Sequence, residues 1–222
     1  MRNGRGGDEH DKQAVEGGMP GKESDVLGSV FPFVLTAYLM WATPGPNNML
    51  LAYSGARFGL SKTLPHIVGV VLGTTTMVVS GLVVLEPLVE RYPVLMTLLR
   101  IVGSLWLIRI GFKMIKSKGV AEASEHEGPW SCLKAFVFQF ANPKAITSAI
   151  TLASLVFSSF DGGVAFLYLS VLIVPLVCLT ANGPWALLGS YVSLFLSTPG
   201  RWRIYSLLMG SLTAACSLFL WL

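Results

Sequence analysis

The sequence predicts an all-α integral membrane protein whose chain crosses the bilayer six times. Only 13% of its 222 residues are charged and 53% are hydrophobic, with a mean hydropathy of +0.63. Soluble domains carry about 25% charged residues, so a water-soluble enzyme is disfavoured. Six apolar runs reach the length of about 20 residues that a helix needs to cross a bilayer. Their apolar residues are continuous rather than alternating, which favours helices over barrel strands.

The six predicted spans fill most of the chain after a polar start. Residues 1–28 are rich in Gly, Asp and Glu, and we expect this tail to be disordered because it has little apolar surface to bury. Residues 29–222 form a six-helix domain made of two three-helix halves, about 30–116 and 131–222. Because three is odd, the second half is inverted relative to the first. The predicted spans are Val30–Tyr53, Ile67–Leu85, Val94–Ile115, Leu133–Phe157, Val164–Leu188 and Ile204–Leu222.

Basic residues beside the spans predict the orientation. Eight lie in or beside the loops after spans one, three and five, whereas the opposite loops carry only Arg91. The positive-inside rule therefore places the first set of loops in the cytoplasm and both termini outside. No basic stripe is interleaved with exposed aromatic residues, so nucleic-acid binding is not expected. The eight bases are Arg57, Lys62, Lys113, Lys116, Lys118, Lys134, Arg201 and Arg203.

Prolines interrupt three of the predicted spans. Span one contains Thr-Pro-Gly-Pro-Asn-Asn at 43–48, span four contains Ala-Asn-Pro-Lys at 141–144, and span five contains Asn-Gly-Pro at 182–184. A proline removes a backbone donor and clashes with the preceding turn, so a helix breaks or kinks there. One alternative is a simple packing kink. Breaks in the first and fourth spans, which correspond in two inverted halves, instead predict a transport site near the membrane midplane.

The chemistry of these breaks suits an amino-acid zwitterion. The unpaired N–H groups of a half-helix can hold a carboxylate. Released carbonyls and the amides of Asn47, Asn48 and Asn142 can receive an ammonium group. No Asp or Glu lies in the middle of any span, so a neutral amino acid is favoured over lysine or arginine. The candidate substrate-binding residues are Pro44, Gly45, Pro46, Asn47, Asn48, Arg100, Gln139, Asn142, Pro143 and Lys144.

Bases within the spans are functional candidates because an intramembrane charge is costly. Lys144 and Arg100 have no carboxylate at a comparable depth. Either cation can snorkel to the membrane surface, bind the substrate carboxylate, or be compensated by carbonyls released at the breaks. His66, at the edge of span two, is a candidate proton relay or a plain structural residue.

Three segments carry a resemblance to a known family. Residues 43–48, Leu-Arg-Ile-Val-Gly at 99–103 and Phe-Gln-Phe-Ala-Asn-Pro-Lys-Ala at 138–145 resemble the lysine exporter and homoserine/threonine efflux (LysE/RhtB) family. The resemblance covers about residues 30–222 and is nearest to the cysteine/O-acetylserine exporter branch. It implies a six-helix bacterial inner-membrane exporter of amino acids or their derivatives, driven by the proton gradient. The sequence departs from the family at Arg109 and in its long polar tail.

Other classes of membrane protein remain as alternatives. A metal-ion exporter of the same superfamily or an intramembrane enzyme would need ligand clusters or a nucleophile with its base. The three cysteines and three histidines are scattered, so we expect no enzyme activity, metal site or cofactor. An assembly protein would not need two broken helices. The expected partners are an amino-acid substrate, protons and the lipid bilayer, with homo-oligomerisation left open.

Overall fold

The described part of the chain is helical, as the sequence predicts. The computed structural model describes residues 22–81, 91–117, 128–159, 164–218 and 221, and no strand occurs within these ranges. Its helices are α1 Lys22–Ala42, α2 Pro46–Phe58, α3 Leu60–Ser80, α4 Pro93–Ile115, α5 Cys132–Phe140, α6 Pro143–Ser159, α7 Val164–Val192 and α8 Pro199–Ala215, with a 3-10 turn at Ser193–Phe195.

Helix α1 begins earlier than the predicted boundary between tail and domain. It starts at Lys22, inside the segment 1–28 that the composition assigns to a disordered tail. Residues 1–21 lie outside the described residues, as do 82–90, which include the last four residues of predicted span two. Within the described ranges, two helical stretches are long and apolar enough by themselves to cross a membrane, Leu60–Ser80 and Val171–Phe195. Helices α2, α5 and α6 are shorter, because the breaks divide two of the predicted spans.

The two breaks predicted at corresponding positions are present. Residues 43–45 separate α1 from α2, and residues 141–142 separate α5 from α6. The third predicted interruption, at 182–184, does not break the helix, because α7 continues through both Pro175 and Pro184. Near Pro184, the Asn182 side chain donates a hydrogen bond of 2.9 Å to the carbonyl of Cys178. Membrane helices tolerate prolines because neighbouring helices and local adjustments satisfy the freed backbone groups.

The largest helix contacts join one half of the chain to the other. Helix α2 packs mainly against α7, α5 packs mainly against α3, and α4 packs against α8. Small residues allow these close contacts. A Cβ atom added to Gly111 would lie 2.5 Å from the carbonyl oxygen of Gly210, and the reverse addition would meet the Gly111 oxygen at the same distance. Close backbone contact through small residues is typical of helices that pack within a membrane.

The outer surface is apolar as well as the interior. Phe33, Met77 and Leu152 are among the large side chains in a core formed by α1, α3, α6 and α7. Many other large apolar side chains point outward, including Leu105 at 64% and Leu176 at 64% exposed. Soluble proteins rarely expose so much contiguous apolar surface, so this surface is suited to lipid.

Candidate functional site

The first break is built by a glycine between two prolines. Gly45 has an extended backbone, with φ −174° and ψ −179°, and is the N-cap of α2. Pro46 begins α2, where a proline costs nothing because its missing N–H would have no partner in the helix. No side chain caps this N-terminus, so its first N–H groups are open to an anion.

Side chains satisfy the carbonyls that the break releases at the end of α1. The Asn48 amide donates to the carbonyls of Trp41, at 2.8 Å, and Thr43, at 2.7 Å. The indole N–H of Trp185, on α7, donates to the Ala42 carbonyl at 3.2 Å. The last carbonyls of a helix have no partner within it, so these contacts stabilise the break itself.

Lys144 connects the second break to the first. Its Nζ donates to the carbonyl oxygen of Thr43 at 2.8 Å, to Thr43 Oγ1 at 3.0 Å and to the Pro44 carbonyl at 3.4 Å. The sequence left three alternatives for this cation: snorkelling, binding the substrate carboxylate, or compensation by released carbonyls. In the structure, carbonyls released at the first break compensate its charge. Gly45 leaves room for this contact, because a Cβ there would lie 2.8 Å from Lys144 Nζ and 2.9 Å from its Cδ and would shift the lysine.

A reciprocal amide pair makes a second connection between the breaks. Asn47 Nδ2 donates to Gln139 Oε1 at 2.7 Å, and Gln139 Nε2 donates back to Asn47 Oδ1 at 3.1 Å. Gln139 also donates to the Ala135 carbonyl at 2.9 Å and is fully buried. These bonds satisfy both Gln139 Nε2 hydrogens in an apolar interior, where an unpaired polar group would be costly.

Between the breaks lies a small cavity of about 20 Å³ that is lined largely by polar residues. This volume holds about one water molecule and no amino acid. Two buried acceptors at this cavity, Asn48 Oδ1 and Asn142 Oδ1, have no hydrogen-bond partner among the described residues. They are available to a donor such as an ammonium group. The cavity is lined by Trp41, Gly45, Asn47, Asn48, Thr74, Asn142, Lys144, Ala145 and Asn182.

The structure brings most of the predicted site residues together. Gly45, Asn47, Asn48, Asn142 and Lys144 line the cavity. Gln139 and Pro44 contact those residues directly, whereas Pro46 and Pro143 begin α2 and α6. Arg100, on α4, is not among the residues that line the cavity.

His66 lies apart from the breaks. It is 1% exposed and stacks on Trp130, with ring centroids 5.2 Å apart. It lines a second, larger cavity of about 840 Å³ between α2, α3, α4 and α5. Neither ring nitrogen has a hydrogen-bond partner within the described ranges. The proton relay suggested for His66 therefore stays a prediction.

Sequence reasoning missed several residues of the site. Trp185 caps the Ala42 carbonyl, and Trp41 donates from its indole N–H to Ser148 Oγ at 3.1 Å. Thr74 and Asn182 complete the wall of the small cavity. The two tryptophans could have been found, because an indole N–H within an apolar run requires an acceptor.

An apolar helical chain whose polar centre lies where two interrupted helices meet has the architecture of a membrane transporter. The chain belongs to the LysE type translocator family, whose profile matches residues 38–222. This finding confirms the family resemblance of the sequence.

Curated relatives are similar over different shares of the chain. The chain is 29% identical over 119 residues to a leucine efflux protein of Enterobacter sp. (strain 638). These residues make up 51% of this chain and 56% of that protein. A leucine efflux protein of Klebsiella pneumoniae is 24% identical over 119 residues, which again make up 51% of this chain and 56% of that protein. The chain thus spans about half the length of these two relatives. An uncharacterized membrane protein of Vibrio cholerae is 22% identical over 85% of this chain and 94% of its own. No solved structure matches.

Proposed function

We propose that the protein exports neutral amino acids across the bacterial inner membrane and is driven by the proton gradient. The observation that carries this proposal is the meeting of two helix breaks around one polar cavity, where Lys144 of the second break binds Thr43 and Pro44 of the first. Membership of a translocator family supports transport. Two relatives named leucine efflux proteins support an amino acid as the substrate and export as the direction.

The two polar ends of an amino acid suit different parts of the cavity. The uncapped N-terminus of α2 and the nearby Lys144 ammonium suit the carboxylate. The buried acceptors Asn48 Oδ1 and Asn142 Oδ1 suit the ammonium group. Since the cavity is too small for an amino acid, binding requires the breaks to separate. Separation of the Asn47–Gln139 pair and of the Lys144 contact is the opening step in this proposal.

The charge of the cavity favours a neutral substrate. Lys144 is the one charged side chain among its described lining residues, and no carboxylate lies there to balance a cationic substrate side chain. Lysine or arginine would therefore bring a second positive charge next to Lys144. A neutral apolar amino acid such as leucine avoids this repulsion.

The proposal includes six spans in two inverted halves, with both termini outside. In it, α1–α2 and α5–α6 are the corresponding interrupted spans. Support comes from the packing, because α2 packs on α7 as α5 packs on α3, and α4 pairs with α8. Taken by whole spans, this pattern is the same after the two halves are exchanged, because span one packs on span five as span four packs on span two.

Proton coupling needs a group that can change its charge, and Lys144 is the ionisable residue at the breaks. Deprotonation would weaken its bonds to Thr43 and Pro44, which links proton binding to separation of the halves. The alternative of a metal-ion exporter gains no support, because the described residues contain no group of three His, Cys, Asp or Glu able to hold a metal.

Uptake of labelled leucine into inside-out vesicles tests the proposal. Vesicles containing the protein should accumulate leucine above vesicles without it, and a protonophore should abolish the accumulation. Excess unlabelled lysine should not compete, whereas excess isoleucine or valine should. Equal uptake with and without the protein would refute amino-acid export, and accumulation that survives the protonophore would refute proton drive.

A further inference from the structure

The large cavity, which we call the vestibule, is strongly basic. Its described lining residues include Arg57, His66, Arg109, Lys113 and Lys134 and no acidic side chain. These bases come from α2, α3, α4 and α5, so tertiary packing gathers them around one space. Lys134 lies close enough to both Lys113 and Arg109 for their positive charges to act on it. A concave site lined by one sign of charge concentrates ligands of the opposite sign.

One wall of the vestibule is formed by a buried histidine. His66 is 1% exposed, and both of its ring nitrogens lack a hydrogen-bond partner among the described residues. Trp130 fixes this ring by stacking on it, and Lys134 Nζ lies 4.6 Å from the centre of the Trp130 ring. A buried imidazole without a partner is costly, and a ligand that hydrogen-bonds to it would remove that cost.

Apolar side chains cover the rest of the wall. They include Leu50, Leu105, Trp106, Ile110 and Met114. Leu50 lies one helical turn along α2 from Asn47, roughly 5 Å along the helix axis, so the vestibule adjoins the breaks. A ligand with a carboxylate and an aliphatic side chain matches both the charge and the apolar surface.

We propose that the vestibule captures the α-carboxylate of a neutral aliphatic amino acid before the substrate reaches the helix breaks. Arg109 and Lys134 attract the carboxylate, and His66 receives a hydrogen bond from the substrate or donates one to it. This inference rests on the proposed export function and adds an entry site to it. The predicted orientation places this end of the bundle in the cytoplasm, where an exporter loads its substrate.

The test compares the concentration dependence of leucine uptake into inside-out vesicles. The variant Arg109→Gln/Lys134→Gln removes two exposed charges of the vestibule, together with the contact of Lys134 with the Trp130 ring. Its matched control is Lys62→Gln/Arg203→Gln, two exposed bases that do not line the vestibule. We expect the vestibule variant to raise the KM on the order of tenfold with an unchanged maximal rate, because electrostatic capture is lost. The control should keep the wild-type KM, as should Lys134→Arg.

Ionic strength gives a second readout that a purely structural role would not change. The wild-type KM should rise with salt, and this dependence should weaken in the vestibule variant. If the wild type transports leucine and the variant keeps its KM and salt dependence, the vestibule inference is overturned and the export proposal stands. An acidic phospholipid that copurifies with the wild type but not the variant, with KM unchanged, would also overturn it, as a lipid site. Absence of amino-acid uptake by the wild type would overturn both proposals.

Discussion

Lys144 shows how a single cation joins distant parts of the chain. Its ammonium group has neutral oxygen acceptors from Thr43 and Pro44, about one hundred residues earlier. A hydrogen bond from a charged donor contributes about 1.5–3 kcal/mol to stability, more than a bond between neutral groups. The sequence predicted that this cation needs compensation. It could not predict which oxygens provide it, because that depends on how the two halves pack.

Removal of the Lys144 contact should destabilise the protein. We expect Lys144→Met to lower the free energy of unfolding by about 1–3 kcal/mol, since the half-buried ammonium group no longer donates to Thr43 and Pro44. Gly45→Ala should cause part of the same loss, because its Cβ would displace the Lys144 ammonium. Thermal unfolding of the purified protein measures both changes.

The double variant separates this contact from unrelated damage. Gly45→Ala added to Lys144→Met should cost little more than Lys144→Met alone, because both remove the same interaction. Gly200→Ala, where an added Cβ meets open space, and the exposed Lys62→Met are the controls. Fully additive losses from Gly45→Ala and Lys144→Met would show that the two residues act independently.

At the scale of helices, the proline pattern predicted two breaks that are present and a third site at which the helix is continuous. At 44–46 two prolines flank a glycine, so both a donor and helix propensity are lost within three residues. At 182–184 a single proline lies in a long apolar helix whose Asn182 side chain bonds back to Cys178. Proline alone therefore predicted one break too many.

Contact between α4 and α8 depends on the absence of side chains at Gly111 and Gly210. We expect Gly210→Val to lower the free energy of unfolding by about 1–3 kcal/mol, because its Cβ would overlap the Gly111 carbonyl and Ile115. The matched control Gly200→Val lies near the start of the same helix, in open space, and should change stability little. Thermal unfolding of the Gly210→Val and Gly200→Val variants tests this prediction. Equal midpoint temperatures for the two variants would contradict this account of the contact.

For the molecule as a whole, the helical class and the two main breaks could be predicted from hydropathy and proline positions. The composition of the site could be predicted in large part, because Asn47, Asn48, Asn142 and Lys144 are unusual in apolar runs. The vestibule could not, since its bases are spread from Arg57 to Lys134 and meet only through packing. Arg100 was placed in the site by its charge alone, and it does not line the cavity.

The central claim is that the broken helices form the transport site. Leucine uptake by Pro44→Ala/Pro46→Ala in inside-out vesicles tests it most directly, since alanine allows α1 and α2 to join into one helix. Pro175→Ala is the matched control, because Pro175 lies inside the continuous helix α7. With equal amounts of inserted protein, we predict background uptake for the double variant and wild-type uptake for the control. Uptake at the wild-type rate by Pro44→Ala/Pro46→Ala would contradict the claim.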